Sequence, residues 1–290
     1  MIERTRFAGV FARLQPYRLW IQSAFLFVWL DAFIPRYHGV CAPVFHCYAC
    51  PLATFACPIG VLANFSALHL IPFMTIGLLL VFGALVGSLF CGWACPFGLF
   101  QELLHKIPSV KLPVPRILTW LKYGFLALFV VILPLVVVDE FGLGAPWFCK
   151  YVCPAGTLEA GIPMLILQPD LKNTIGWIYW NKITILFLYV VWSIVSSRPF
   201  CRTTCPLGAF YALFNRHRLI RLQFNADNCT QCGACHRVCP MGINFNETPH
   251  SGECISCLKC MTQACNYGAI SVEVAGYPLR DDTLPLKQKI

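Results

Sequence analysis

Charge is scarce in this chain. Asp, Glu, Lys and Arg make up 12% of its 290 residues, against 58% hydrophobic. An ordinary soluble domain is roughly 25% charged, so the composition points away from one. Acids are the scarcer sign, 13 against 22 Lys and Arg, which leaves a net charge of +9. A nucleic-acid partner would need those basic residues gathered on a soluble recognition fold, and none is legible, so no nucleic acid is expected. No small-residue cleavage site follows Arg4, Arg6, Arg13 and Arg18, so a removable signal peptide is not expected. Histidine is missing where a membrane haem would need it. The seven, at 38, 46, 69, 105, 217, 236 and 250, all avoid the centres of the apolar stretches, which disfavours a bis-histidine haem within a bilayer.

Those apolar stretches are the first thing present. Four of them, about 17–35, 71–90, 117–138 and 177–197, approach the roughly 20 residues that cross a bilayer. Asp31 and Lys122 sit near the ends of the first and third, where interfacial placement or snorkelling costs little. Pro134 is placed to kink the third. Trp177, Tyr179 and Trp180 suit an interfacial belt. The basic residues fall mainly in the N-terminal segment, in the loop with Lys106, Lys111 and Arg116, and in the tail with Arg198, Arg202, Arg216, Arg218 and Arg221. The other loops carry chiefly Arg36, Lys150 and Lys172. By the positive-inside rule both termini are cytoplasmic, in a multi-pass protein of the inner membrane, and the net charge reads mostly as topology.

The second thing present is cysteine, 18 of them. Near the C-terminus they run Cys229-x2-Cys232-x2-Cys235-x3-Cys239-Pro240, then Cys254-x2-Cys257-x2-Cys260-x4-Cys265. The first is the bacterial ferredoxin spacing, in which three thiolates hold one [4Fe–4S] cluster and the fourth ligates its neighbour. This predicts one cluster on Cys229, Cys232, Cys235 and Cys265 and a second on Cys239, Cys254, Cys257 and Cys260. A structural zinc site is the alternative, but zinc favours paired C-x2-C units over triplets. The second run is one residue longer at its end.

A phrase also repeats: Cys57-Pro-Ile-Gly, Cys91-x3-Cys95-Pro-Phe-Gly, Cys149-x3-Cys153-Pro-Ala-Gly and Cys201-x3-Cys205-Pro-Leu-Gly. Each precedes a helix-like segment, at 61–70, 99–107, 157–167 and 209–213. Proline and glycine there suit a helix start whose free N–H groups and positive dipole end face a thiolate-ligated, net-negative cluster. On the four-span topology the second and fourth copies are cytoplasmic and the first and third lie outside. The chain reads as two similar halves, and packing them as a pseudo-symmetric pair brings Cys91, Cys95, Cys201 and Cys205 together as an inner cluster site. Cysteines buried as small core residues are the bland alternative. The outer side offers Cys50, Cys57, Cys149 and Cys153 as a further cluster site, with Cys41 and Cys47 spare. Disulfides compete there, because that compartment is oxidising.

Cys232-Gly-Ala-Cys235-His236 matches the attachment motif of c-type haem, but it overlaps the ferredoxin run on the cytoplasmic face, and no covalent haem is expected. A quinone site needs an apolar slot with a proton acceptor near a cluster. Glu102 and His105, with Gln101, follow the second copy; Glu159, His46 and His69 lie near the outer ones. Glu102 and Glu159 hold nearly equivalent repeat positions.

The expected fold is mainly α: a four-helix transmembrane bundle with an internal two-fold repeat over 1–218, then a cytoplasmic α+β domain with two [4Fe–4S] clusters over 219–290. Phe90-Cys91-Gly-Trp-Ala-Cys95-Pro, Phe200-Cys201-Arg-Thr-Thr-Cys205-Pro-Leu-Gly and the double ferredoxin run resemble the NapH-type, NosR-related membrane ferredoxins. The resemblance implies an integral-membrane electron carrier between a quinone pool or cytoplasmic donor and an outer-face redox partner, a cytochrome or iron–sulfur subunit. It would then act as a quinol dehydrogenase component. The outer cysteines depart from that pattern. An alternative is a membrane ferredoxin that matures a respiratory metalloenzyme, as in the CcoG-type proteins, which share the Cys-Gly-aromatic-x-Cys-Pro phrase. A redox-sensing regulator is a third.

Overall fold

The computed structural model describes residues 13–29, 57–167, 173, 175–275 and 277–279. It is mostly helical, with one small sheet. Of the four expected spans, two are helices long and apolar enough to cross a membrane: Arg116–Val136 and Trp177–Val195. Their apolar side chains are largely exposed, including Ile117, Trp120, Phe187 and Leu188, and so are Trp177 and Trp180.

The 71–90 stretch is divided. Helix Phe73–Leu85 is followed by Gly87 at φ +56°, and a new short helix runs Leu89–Trp93. A Cβ on Gly87 would come within 2.3 Å of Asn215 Oδ1, so the break needs glycine both for its backbone and for its space. In the first stretch Arg18–Trp29 is helical, and 30–35 lies outside the described residues. Among the described residues the third and fourth expected stretches thus hold long apolar helices, and the first and second hold the shorter helices Arg18–Trp29 and Phe73–Leu85. In the third stretch a π-type segment, Leu126–Ile132, precedes Pro134. Proline has no N–H to give the carbonyl four residues back, and a widened turn absorbs that loss.

The chain forms two compact units, exchanging at 21/22, 79/80, 93/94 and 209/210. One holds Gln22–Leu79 and Ala94–Ala209. There the Trp177–Val195 helix packs on helices Pro96–His105 and Pro199–Thr203, and Pro58–Ala67 packs along the second half of Arg116–Val136.

The other unit contains Leu80–Trp93, the chain from Phe210 on, and the segment ending at Ile21. Its sheet has strands β1 (Ile220–Phe224), β2 (Ile270–Val274) and β3 (Tyr277–Leu279), antiparallel in that order. Leu222, Ile270 and Val272 turn inward onto Trp93, Met241, Ile255 and Leu258. Cross-strand partners Arg221 and Glu273 form an ion pair at 2.7 Å. The hub of the unit is polar. The Cys254 carbonyl accepts from Ser88 Oγ at 2.7 Å, Asn215 Nδ2 at 3.2 Å and Arg218 Nη1 at 3.3 Å. Asn215 Oδ1 also accepts from Ser88 N and Arg218. Removing Asn215 leaves several buried partners unmatched, each worth about 1–3 kcal/mol. Asn215→Ala is therefore expected to lower the temperature at which the C-terminal iron–sulfur absorbance is lost, by an amount matching about 2 kcal/mol or more.

Candidate iron–sulfur sites

The two C-terminal cysteine runs wind the same way. In each the middle cysteine is flanked by two left-handed residues: Gln231 (φ +52°) and Gly233 (+66°) around Cys232, Ser256 (+47°) and Leu258 (+61°) around Cys257. Left-handed backbone at a non-glycine residue costs about 1–2 kcal/mol. Three such residues in matched loops mark a conformation held for a purpose. The runs differ after their third cysteine. Cys235 lies in a short helix, Ala234–Arg237, with Cys239 N donating to His236 O. Cys260 instead opens a π-type turn, Cys260–Ala264, closed by Cys265 N donating to Cys260 O at 3.0 Å. The extra residue of the second run is taken up in this wider turn.

This winding gathers the cysteines into two cavities in the crossed pattern the spacing predicts. One is lined by Cys229, Cys232, Cys235 and Cys265. The other is lined by Cys239, Cys254, Cys257 and Cys260, and Cys235 lines both. Their surroundings differ. Cys232 is exposed, and backbone and Thr230 hydrogen bonds hold its thiol below the usual range. Cys254, Cys257 and Cys260 are buried. Burial pushes the Cys239 thiol up to about 11, and the Cys257 and Cys260 thiols up as well. A cluster held in the second cavity would have to displace protons from buried thiols. Among the described residues no three His, Cys, Asp or Glu side chains converge on a single ion position. A cubane takes each thiolate at a separate corner, so four cysteines spread around a cavity suit it.

The Cys-Pro repeat has one geometry in all four copies. Cys57, Cys95, Cys153 and Cys205 each stand at a helix N-cap with proline next. Each sulfur accepts the N–H of the glycine three residues on, at 3.3, 3.3, 3.4 and 3.4 Å. A sulfur thus takes the position that Ser or Asp usually fills, at the positive end of the helix. The glycines of two copies also make room for neighbours. A Cβ on Gly98 would lie 2.9 Å from Arg198 Nη1, and one on Gly208 3.1 Å from Cys201 O.

Of the four cysteines expected at the inner site, Cys95, Cys201 and Cys205 belong to one unit and Cys91 to the other, since the chain changes unit between Trp93 and Ala94. The second and fourth copies are cross-braced by Gln101. Its Oε1 accepts from Phe200 N at 3.1 Å and its Nε2 donates to Cys201 Sγ at 3.2 Å. Phe97 meets Phe200 edge to face at 5.1 Å. Glu102 pairs with Arg198 at 2.8 Å. Burial pushes the Cys201 thiol up, while Arg198, the Gln101 bond and more weakly Lys122 pull it down. Gln101 and Glu102, raised above as quinone ligands, are thus engaged in bracing the copies. His105 ends the same helix, its pKa lowered by burial and then by Lys111.

Cys57, Cys149 and Cys153 share the first unit described, where the Pro58–Ala67 helix packs on the Phe148–Val152 turn. Cys41, Cys47, Cys50 and His46 lie outside the described residues, as does the side chain of Glu159. His69 Nε2 meets Leu135 O at 3.2 Å.

Some of the basic residues read above as topology turn inward. Arg18, Arg198, Arg202, Arg218 and Lys122 are all buried. Lys122 does not snorkel at a span end but acts on Cys201. A pattern of loop charges carries no sign that a given arginine turns inward, so these five were not legible as site residues.

Comparison with known proteins agrees with the cysteine geometry. One 4Fe-4S binding domain family matches residues 67–115, 123–162 and 181–224, and a second matches 222–244. An uncharacterized protein of Methanocaldococcus jannaschii is 31% identical over 207 residues, 68% of this chain and 76% of the relative. The methylamine utilization ferredoxin-type protein MauN of Methylorubrum extorquens is 26% identical over 65% of this chain and 56% of its own length. The ferredoxin-type protein NapH of Haemophilus influenzae is 23% identical over 70% of each. No solved structure matches significantly.

Two tests follow from this geometry. In the metal-free protein, iodoacetamide at neutral pH should modify Cys232 first, because it is exposed and its depressed pKa leaves more thiolate; peptide mapping reads the order. A Cβ at Gly92 would lie 2.3 Å from the Ile255 carbonyl, whereas one at Gly156 meets nothing closer than 3.9 Å. Gly92→Ala should therefore weaken cluster retention in the Cys254 cavity, read by EPR. Gly156→Ala should leave all signals intact.

Proposed function

The chain belongs to the ferredoxin-type [4Fe–4S] electron-transport family that includes NapH, MauN, NosR and YccM, and on that premise we propose that it is a membrane-embedded electron conduit. It binds multiple [4Fe–4S] clusters. In this reading Cys229, Cys232, Cys235 and Cys265 hold one, and Cys239, Cys254, Cys257 and Cys260 a second. Cys91, Cys95, Cys201 and Cys205 hold a third at the cytoplasmic membrane face, and Cys50, Cys57, Cys149 and Cys153 a fourth on the outer side. Electrons pass between the quinone pool or a cytoplasmic donor and an outer-face redox partner. Arg116–Val136 and Trp177–Val195 supply membrane-spanning helices, with lipid on their apolar faces.

The observation that carries this reading is the seat of the Cys91 phrase. Gly92 lies against the Ile255 carbonyl, and Trp93 Nε1 donates to Ser256 O at 2.9 Å. Both partners belong to the Cys254–Cys257 loop. The first cysteine of the inner set is thus built onto the wall of a ferredoxin-type cavity. A soluble-style ferredoxin tethered by passive spans would have no need of that contact. It equally gives an assembly factor a route for electrons, so the discriminating measurement concerns their source.

Protein purified without oxygen and reconstituted in liposomes should contain iron for four cubanes. Its EPR-visible clusters should be reduced when a quinol is added. Iron for two cubanes only would defeat the repeat-based sites. Full cluster content with no reduction by any quinol, together with loss of an oxidase on gene deletion, would favour the maturation reading.

A further inference from the structure

The short segment at the start of the described chain is folded onto the more buried of the two C-terminal cavities. Gln263, on the Cys260–Ala264 turn, donates to Gln15 at 3.5 Å. Ile21 packs against the core that contains Cys254, Cys257 and Cys260. Between them Arg18 is 2% exposed, and its Nε donates to the Gly92 carbonyl at 2.6 Å. Gly92 in turn abuts Ile255, next to the cavity's cysteines. A guanidinium keeps its charge at any pH the fold survives, and in a dry interior that charge acts with little screening.

We propose that Arg18 is a tuning residue for the Cys239/Cys254/Cys257/Cys260 site, raising the reduction potential of the cluster held there. This rests on the reading that both C-terminal cavities hold cubanes. Burial disfavours the more negative, reduced form of a thiolate-ligated cluster, and net charge and exposure are among the factors that set its potential. A buried cation just behind the cavity lining, held on Gly92 where it abuts Ile255, offsets that penalty. Arg218, also buried, adds a second cation through its bond to the Cys254 carbonyl. The Cys229/Cys232/Cys235/Cys265 site opens to water at Cys232, where solvent supplies the compensation.

The test is an EPR-monitored redox titration of the full-length protein, with Cys232→Ser used to assign the exposed site's signal. Arg18→Gln should shift the potential of the other C-terminal cluster downward and leave the exposed one in place. Arg18→Lys should restore most of the shift, which a purely structural loss would not allow. If Arg18→Gln fails to assemble its clusters, Arg18→His serves instead. The buried cluster's potential should then fall as pH rises through the imidazole range, and the exposed cluster's should not follow. Intact signals with no shift in Arg18→Gln, equal shifts in the Gln and Lys variants, or a pH-independent potential in Arg18→His would overturn the proposal. Absence of both C-terminal cluster signals in the wild type would instead overturn the cubane reading beneath it.

Discussion

Buried thiolate charge has to be balanced, and most of the chain's departures from a plain helical protein follow from that need. Sulfur anions in an apolar interior are costly unless positive charge or N–H groups meet them. The Cys-Pro-x-Gly phrase supplies one solution four times over: the sulfur caps its own helix by accepting the glycine N–H. Proline suits the first turn because its missing N–H was never needed there. Glycine at the third helical position admits Arg198 in one copy and a backbone carbonyl in another. Helix start and charge balance at the sulfur are therefore set by the same four residues.

In the C-terminal loops the balance is struck differently. Left-handed residues on both sides of Cys232 and Cys257 turn the chain sharply at the middle cysteine, at an energetic cost that the packed core must hold. Leu258 is both left-handed and buried, so its side chain helps fix the conformation that its backbone resists. The π-type turn at Cys260–Ala264 delivers Cys265 to the first cavity despite the longer spacing. Each loop thus gives three cysteines to one cavity and its last to the other.

Cysteine spacing made that crossed arrangement legible from sequence, because the short gaps leave a thiolate few places to go. Two long helices were legible as well, since Arg116–Val136 and Trp177–Val195 are long and predominantly apolar. The break at Gly87 was not, because it depends on Asn215, a residue 128 positions later that fills the space a side chain would need. Nor was the position of Cys91. Its motif is identical in form to that of Cys201, yet the chain leaves one compact unit for the other two residues after it. Spacing describes local geometry, and contacts between distant segments lie beyond its reach.

The basic residues show the same limit and bear on orientation. Arg18, Arg198, Arg202, Arg218 and Lys122 are withdrawn into the interior, where they face carbonyls, a carboxylate and cysteine sulfurs. Among the described residues, those exposed on the proposed cytoplasmic side include Arg13, Lys106, Lys111, Arg116, Arg216 and Arg237, against Lys150 on the other. Lys111 is itself tied to the carbonyls of His105, Ile107 and Ile194. The asymmetry on which the proposed orientation rests is therefore narrower than the arginine count implies. It still has the same sign, because burying a cation removes it from the loop tally without moving it across the membrane. The positive charge of this chain answers two demands, and the interior one is met first.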